Sequence, residues 1–114
     1  MDHPDNTLDL PPPEPELDSG WRCMQVRGQW RAQHPIFGST MDWERQLTAK
    51  WAARILEIRY AQAATDAQAA ALRHGDAPPA ANASYSTLTS LLDRYTSEDE
   101  RRERTREEHA LTQR

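Results

Sequence analysis

Residues 21–34 read WRCMQVRGQWRAQH, and the secondary structure of this stretch decides the fold class of the chain. Trp21, Met24, Gly28 and Arg31 follow helical spacing, as do Cys23, Val26 and Trp30. The run from Met24 to Trp30 also alternates apolar and polar when Gly28 counts as apolar, which a short strand would equally produce. Asp18 and Ser19 stand just ahead as helix caps. His34-Pro35 closes the segment, because a residue before proline avoids the α region. The helical reading is adopted, with Ile36-Phe37-Gly38 as an apolar loop tucked against the core. On that reading the expected fold class is all-α.

Working outward, Ser39 or Thr40 begins the next element. Ser39 with Asp42 resembles a shortened capping box, and Asp42 and Glu44 fall in the first turn, where the helix dipole favours negative charge. Residues 41–75, MDWERQLTAKWAARILEIRYAQAATDAQAAALRHG, contain no proline and no glycine before Gly75. Trp43, Leu47, Trp51, Ile55 and Ile58 form one apolar stripe, expected to face the core. Past Tyr60 the stripe gives way to alanine, and Arg73, His74 and Gly75 carry the chemistry of a helix C-terminus. A helix of about 34 residues is ~50 Å long and needs a partner for its alanine-rich half. There Thr65, Ala69 and Leu72 continue the line of Ile58. Residues 76–84, DAPPAANAS, read as a linker, and Ser84 or Ser86 caps a second helix with Tyr85, Leu88, Leu91, Leu92 and Tyr95 on one face. A linker with two prolines suits a helical hairpin, and pairing with a second copy is the alternative. The expected architecture is a small helical bundle or hairpin with one long central helix.

Three regions follow. Residues 1–17, MDHPDNTLDLPPPEPEL, hold five prolines and are expected to be a disordered acidic arm, in which Leu8, Leu10 and Leu17 could dock on a partner. Residues 18–97 form the helical domain. Residues 98–114 mix six acids with five arginines and read as a charged tail, partly helical or disordered. The chain of 114 residues suffices for one domain. Sixteen of its apolar residues are alanine, and Leu, Ile, Val and Phe together number fifteen. That is below the roughly 20% that marks a self-sufficient core. Four tryptophans compensate in part, each able to bury on the order of 200 Å².

The net charge of −4 and the acidic lead are poor material for binding phosphate, so nucleic acid is disfavoured as a partner. A single cysteine, Cys23, allows no internal disulfide and suggests a reducing, cytoplasmic setting. No membrane-spanning run or signal peptide is expected. His3, His34, His74 and His109 are scattered, with no neighbour at metal-ligand spacing. The four glycines never cluster into a phosphate loop. No enzyme, cofactor or metal site is expected. Trp21, Trp30, Trp43 and Trp51 lie within 31 residues, more than a core this small usually hides. With Phe37 they are the candidate partner-binding residues, since tryptophan is enriched at binding hot spots.

PEPEL at 13–17, then Trp21, then Gln29-Trp30-Arg31, then Met41-Asp42-Trp43 at the start of a helix resembles certain small phage tail proteins. These are thought of as tail-assembly chaperones, helical proteins that hold the tape-measure protein before the tail polymerises. The resemblance covers about residues 14–45, and HPIFGST replaces the family's glycine-rich turn. It implies a non-enzymatic assembly factor or chaperone-like adaptor, a monomer or small homo-oligomer in the host cytoplasm, with the tape-measure or another assembly protein as partner. The alternatives are a DNA-associated helical protein, such as a terminase-type or regulator subunit with Lys50, Arg54 and Arg59 facing phosphate, or a structural subunit of a particle.

Overall fold

Residues 21–34 fold as a β-hairpin. In the computed structural model, which describes residues 13–112, strand β1 (Arg22–Val26) pairs antiparallel with β2 (Gln29–His34). Val26 lies opposite Gln29, so the loop is the two residues Arg27 and Gly28. Both have positive φ, 54° and 80°. A type I′ turn requires that of its two central residues, and its twist matches that of the flanking strands. Gly28 explains why the strand defeats the helix: mid-helix it would cost ~1 kcal/mol, whereas in this turn it is the natural residue. The expected all-α fold is therefore corrected at its first element, and the chain is mixed α and β. The short strand β3 (Gly38–Ser39) extends the sheet on the other side of β2, giving the order β1-β2-β3.

Thr40 and Trp43 prolong this pairing. Thr40 N–H donates to the Ala32 carbonyl at 2.9 Å, and Trp30 and Trp43 exchange backbone hydrogen bonds at 2.6 and 2.8 Å. Asp42, expected in the first turn of a helix, instead takes Arg31 in a two-pronged ion pair at 2.6 and 3.1 Å. Helix α1 (Gln46–Arg73) consequently starts later than expected, with no side-chain cap and no acid in its first turn. Its C-terminus follows the expectation. Gly75 has φ 72°, Asp76 N–H reaches back to Ala71 O at 2.9 Å, and Gly75 N–H to Leu72 O at 3.2 Å. Those two bonds make a Schellman motif. Ser84 opens α2 (Tyr85–Thr112), its Oγ accepting the Thr87 N–H at 3.1 Å.

The two helices pack, but not as a hairpin. Ala63 and Ala67 meet Leu88, and further along Ala70 and Ala71 meet Tyr95. Later residues of α1 thus contact later residues of α2, so the pair runs parallel. The linker returns along α1 to make this possible. Asp76 stays at the far end, accepting the Tyr95 hydroxyl at 2.8 Å, while the Ala83 carbonyl receives the Tyr60 hydroxyl at 2.6 Å. Tyr85 N–H then bonds the Ile36 carbonyl at 2.8 Å, locking the start of α2 to the sheet. A hairpin would have spent the linker on a tight turn. Extended chain advances ~3.3 Å per residue against 1.5 Å for helix, so a short extended segment spans several helical turns.

The face of α1 that carries this packing is made of alanine: Ala49, Ala53, Ala63, Ala67, Ala70 and Ala71 are buried. Small side chains let the neighbouring elements approach closely. The stripe expected to be core points the other way, with Trp51 41%, Ile55 49% and Ile58 55% exposed. Leu72, on the continuing line, is 81% exposed. Beyond Glu98 every described residue of α2 is exposed, and the charged segment continues as unbroken helix to Thr112. The radius of gyration, 21.1 Å, records this elongation against about 13 Å for a compact chain of this length. The acidic arm expected over residues 1–17 is described only from Pro13, and residues 1–12, with Leu8 and Leu10, lie outside the described residues.

Candidate functional site

Where the sheet meets α1, the chain builds a polar and aromatic joint. Gly20 and Asp18 bend the lead so that Asp18 Oδ2 accepts the Gly20 N–H at 2.9 Å and faces His34 Nε2 at 2.7 Å. His34 Nδ1 accepts the Ile36 N–H at 3.0 Å, which leaves the ring proton on Nε2, donated to Asp18. An Asp–His pair invites a catalytic reading. Here both ring nitrogens are occupied by structural bonds and the side chain is 6% exposed, so neither is left to take a substrate proton. Glu57 ties the other side. Its Oε2 accepts the Asp18 N–H and the Trp21 indole N–H, both at 2.8 Å, and its Oε1 accepts Arg54 at 2.9 Å.

The candidate residues Trp21 and Phe37 come together in this joint. Their rings stack at 5.8 Å, Phe37 lies 4.3 Å from His34, and Tyr60 meets it edge-on at 4.9 Å. Trp30 and Trp43 are neighbours through their backbone bridge, with Trp43 37% exposed. Trp51 stands apart on α1, its indole N–H donating to the Pro13 carbonyl at 3.1 Å beside the Lys50–Glu14 pair at 3.0 Å. The five thus occupy three places rather than one groove. Gly20, Asp18, His34 and Glu57 were missed by the sequence reading, since partners 16 to 39 positions apart leave no local signal.

The joint has a definite acid response. The hydrogen bond from His34 holds the Asp18 carboxyl below its ordinary range, helped by the Gly20 N–H. The Arg31 guanidinium does the same for Asp42. For Glu57 burial pushes upward, but the Asp18 N–H, the Trp21 indole and Arg54 together outweigh it and the net direction is down. Carboxyls depressed on folding add stability above their unfolded values and lose it as pH falls through the folded ones. We expect these three carboxyls to make urea midpoints fall as pH drops through and below the ordinary carboxylate range. D18N should weaken that drop. An acid response unchanged in D18N, D42N and E57Q alike would remove these three groups as its source.

The other candidate feature is the outward face of α1. Trp51, Ile55, Ile58, Gln62, Thr65, Ala69 and Leu72 advance by alternate steps of four and three, all exposed. Such a rhythm keeps side chains on one face of a helix and is the pattern of a helix–helix seam. A groove of about 410 Å³ lined by Thr65, Gln68, Ala69, Leu72, Asp76 and Pro78 borders its C-terminal end. Among the described residues, no three His, Cys, Asp or Glu side chains are placed to hold a metal, and no helix is long and apolar enough to cross a membrane. Comparison with family models, with curated proteins and with solved structures finds no match.

Proposed function

We propose that this protein is a non-enzymatic assembly factor or chaperone-like adaptor that works in the cytoplasm through protein–protein contact. One observation carries the reading: Trp51, Ile55, Ile58 and Leu72 of α1 face outward while its fully buried residues are all alanines. Monomeric proteins leave single hydrophobes exposed, but a row with helical rhythm marks an interaction surface. Phage tail assembly, with a tape-measure or other assembly protein to be held, is the setting suggested by the likeness at residues 14–45 to tail-assembly chaperones. The DNA-associated alternative relied on Lys50, Arg54 and Arg59. Two of these are engaged by carboxylates, Lys50 by Glu14 and Arg54 by Glu57, which favours it less.

A photo-crosslinking amino acid in place of Ile58, in cells that make the protein, tests the reading. We expect an adduct to a protein from this position and none from the same probe at Arg102 on the charged end of α2. No protein adduct at Ile58, with helix content unchanged, overturns it, and an adduct to DNA would revive the alternative.

A further inference from the structure

We infer that the outward face of α1 is covered by the same face of a second copy of this chain, the two helices running antiparallel around a two-fold axis near Gln62 and Thr65. This inference rests on reading that face as a protein-contact surface and names its occupant.

Volume complementarity points to the direction of pairing. The N-terminal half of the seam carries Trp51, Ile55 and Ile58, and its C-terminal half carries Ala69 beside an open groove, with Leu72 at the end. A parallel dimer would set Ile58 against the partner's Ile58 and Ala69 against the partner's Ala69, crowding one layer and leaving a gap in the other. Turned antiparallel, Ile58 lies against the partner's Ala69 and Ile55 against the partner's Leu72. Interiors fill to near-crystalline density, so the large-on-small layer of Ile58 on Ala69 favours this direction over the parallel one.

Charge gives the same answer independently. The positions flanking the seam carry Arg54 on one side and Arg59, Asp66 and Arg73 on the other. In a parallel pair the flanking contacts cross from one side to the other, and Arg54 would meet the partner's Arg59. In an antiparallel pair like sides meet, so Arg59 meets the partner's Asp66, and by symmetry Asp66 meets the partner's Arg59. Arg59 and Asp66 are both exposed; Arg59 makes no ion pair or hydrogen bond among the described residues, and Asp66 Oδ1 accepts the Gln62 side-chain N–H at 2.9 Å. At the centre, Gln62 opposite the partner's Thr65 forms a polar layer. Polar residues within a seam set register and orientation at some expense of stability.

Sedimentation equilibrium of the full chain and a charge-reversal set test this. The wild type is expected to be a dimer at tens of micromolar. Arg59→Asp, and separately Asp66→Arg, should each weaken association by about tenfold or more, because each turns two attractive contacts per dimer repulsive. The double variant R59D/D66R should return to within about threefold of wild type, since reversed pairs attract again. Both positions are exposed, so the circular dichroism of all three should match wild type. I58E, at the heart of the face, should leave a folded monomer.

A dimer that I58E does not disturb, or one in which the double variant is as weak as the singles, overturns the antiparallel seam. A wild type that stays monomeric at 100 micromolar overturns the second copy as occupant. The crosslink at Ile58 then separates the two readings: an adduct to a different protein leaves the contact surface standing, and no adduct removes both.

Discussion

Leu88→Ala is expected to destabilise the isolated chain by about 3 kcal/mol. Among the described residues Leu88 is the largest fully buried side chain, 1% exposed, and it packs against Ala63 and Ala67. Ala63 and Ala67 cannot lean in to close the cavity, and Tyr60, Tyr85 and Leu92 at its border close it only in part, so the loss should fall inside the range of roughly 2–5 kcal/mol known for such truncations. With a core otherwise built of alanines and Tyr95, that is a large share of a stability that is ordinarily about 5–15 kcal/mol. Urea denaturation followed by circular dichroism measures it. Ala69→Arg is the matched control, because Ala69 is exposed at the edge of the α1–α2 contact and should change monomer stability by clearly less than Leu88→Ala does. If Leu88→Ala costs under 1 kcal/mol while Ala69→Arg unfolds the chain, α2 packs on the wrong face of α1.

The second large effect is expected at Gly20. No left-handed backbone demands glycine there. Space does: a Cβ would lie 2.5 Å from His34 Nε2 and 3.1 Å from Asp18 Oδ2. His34 cannot swing clear, since its Nδ1 is held by the Ile36 N–H and its ring is pressed by Trp21 at 5.2 Å and Phe37 at 4.3 Å. Gly20→Ala should therefore break the Asp18–His34 bond and cost about 2 kcal/mol, the usual scale for forcing extra volume into a packed site. Trp21 fluorescence should shift in the native state of the variant as the joint loosens. A G20A protein as stable as wild type, with unaltered fluorescence, would mean that the lead does not dock on His34.

These two sites differ in how far they could be read from residues alone. Local rules held at two helix ends, though the caps expected at Asp18-Ser19 and at Ser39 with Asp42 did not form. Gly75 ends α1 because a residue past the helix must take positive φ, and Ser84 opens α2 because its hydroxyl can satisfy an otherwise orphan N–H. The apolar periodicity of 43–58 and 85–95 also located two long helices, whose existence needs only a repeating pattern.

Direction and partnership were another matter. At residues 21–34 the helical and strand patterns overlap, and the strand wins through Arg27-Gly28, a turn with the glycine but without the Asn or Asp that usually announces it. Which face of α1 turns inward could not follow from hydrophobicity either, because the fold buries the alanines and leaves Trp51, Ile55 and Ile58 outside. Burial area favours the larger side chains, but close approach of helices favours the smaller, and only the three-dimensional arrangement weighs one against the other. The parallel course of α2 rests likewise on bonds between distant residues: Tyr60 to Ala83, Tyr85 to Ile36, Tyr95 to Asp76. Sequence by itself determined that two long helices exist, that α1 stops at Gly75 and that α2 opens after Ser84, since those are properties of neighbouring residues. The tertiary structure alone decided the hairpin of strands, the inward alanine face and the apolar row left for a partner, because each depends on groups that meet only after the chain has folded.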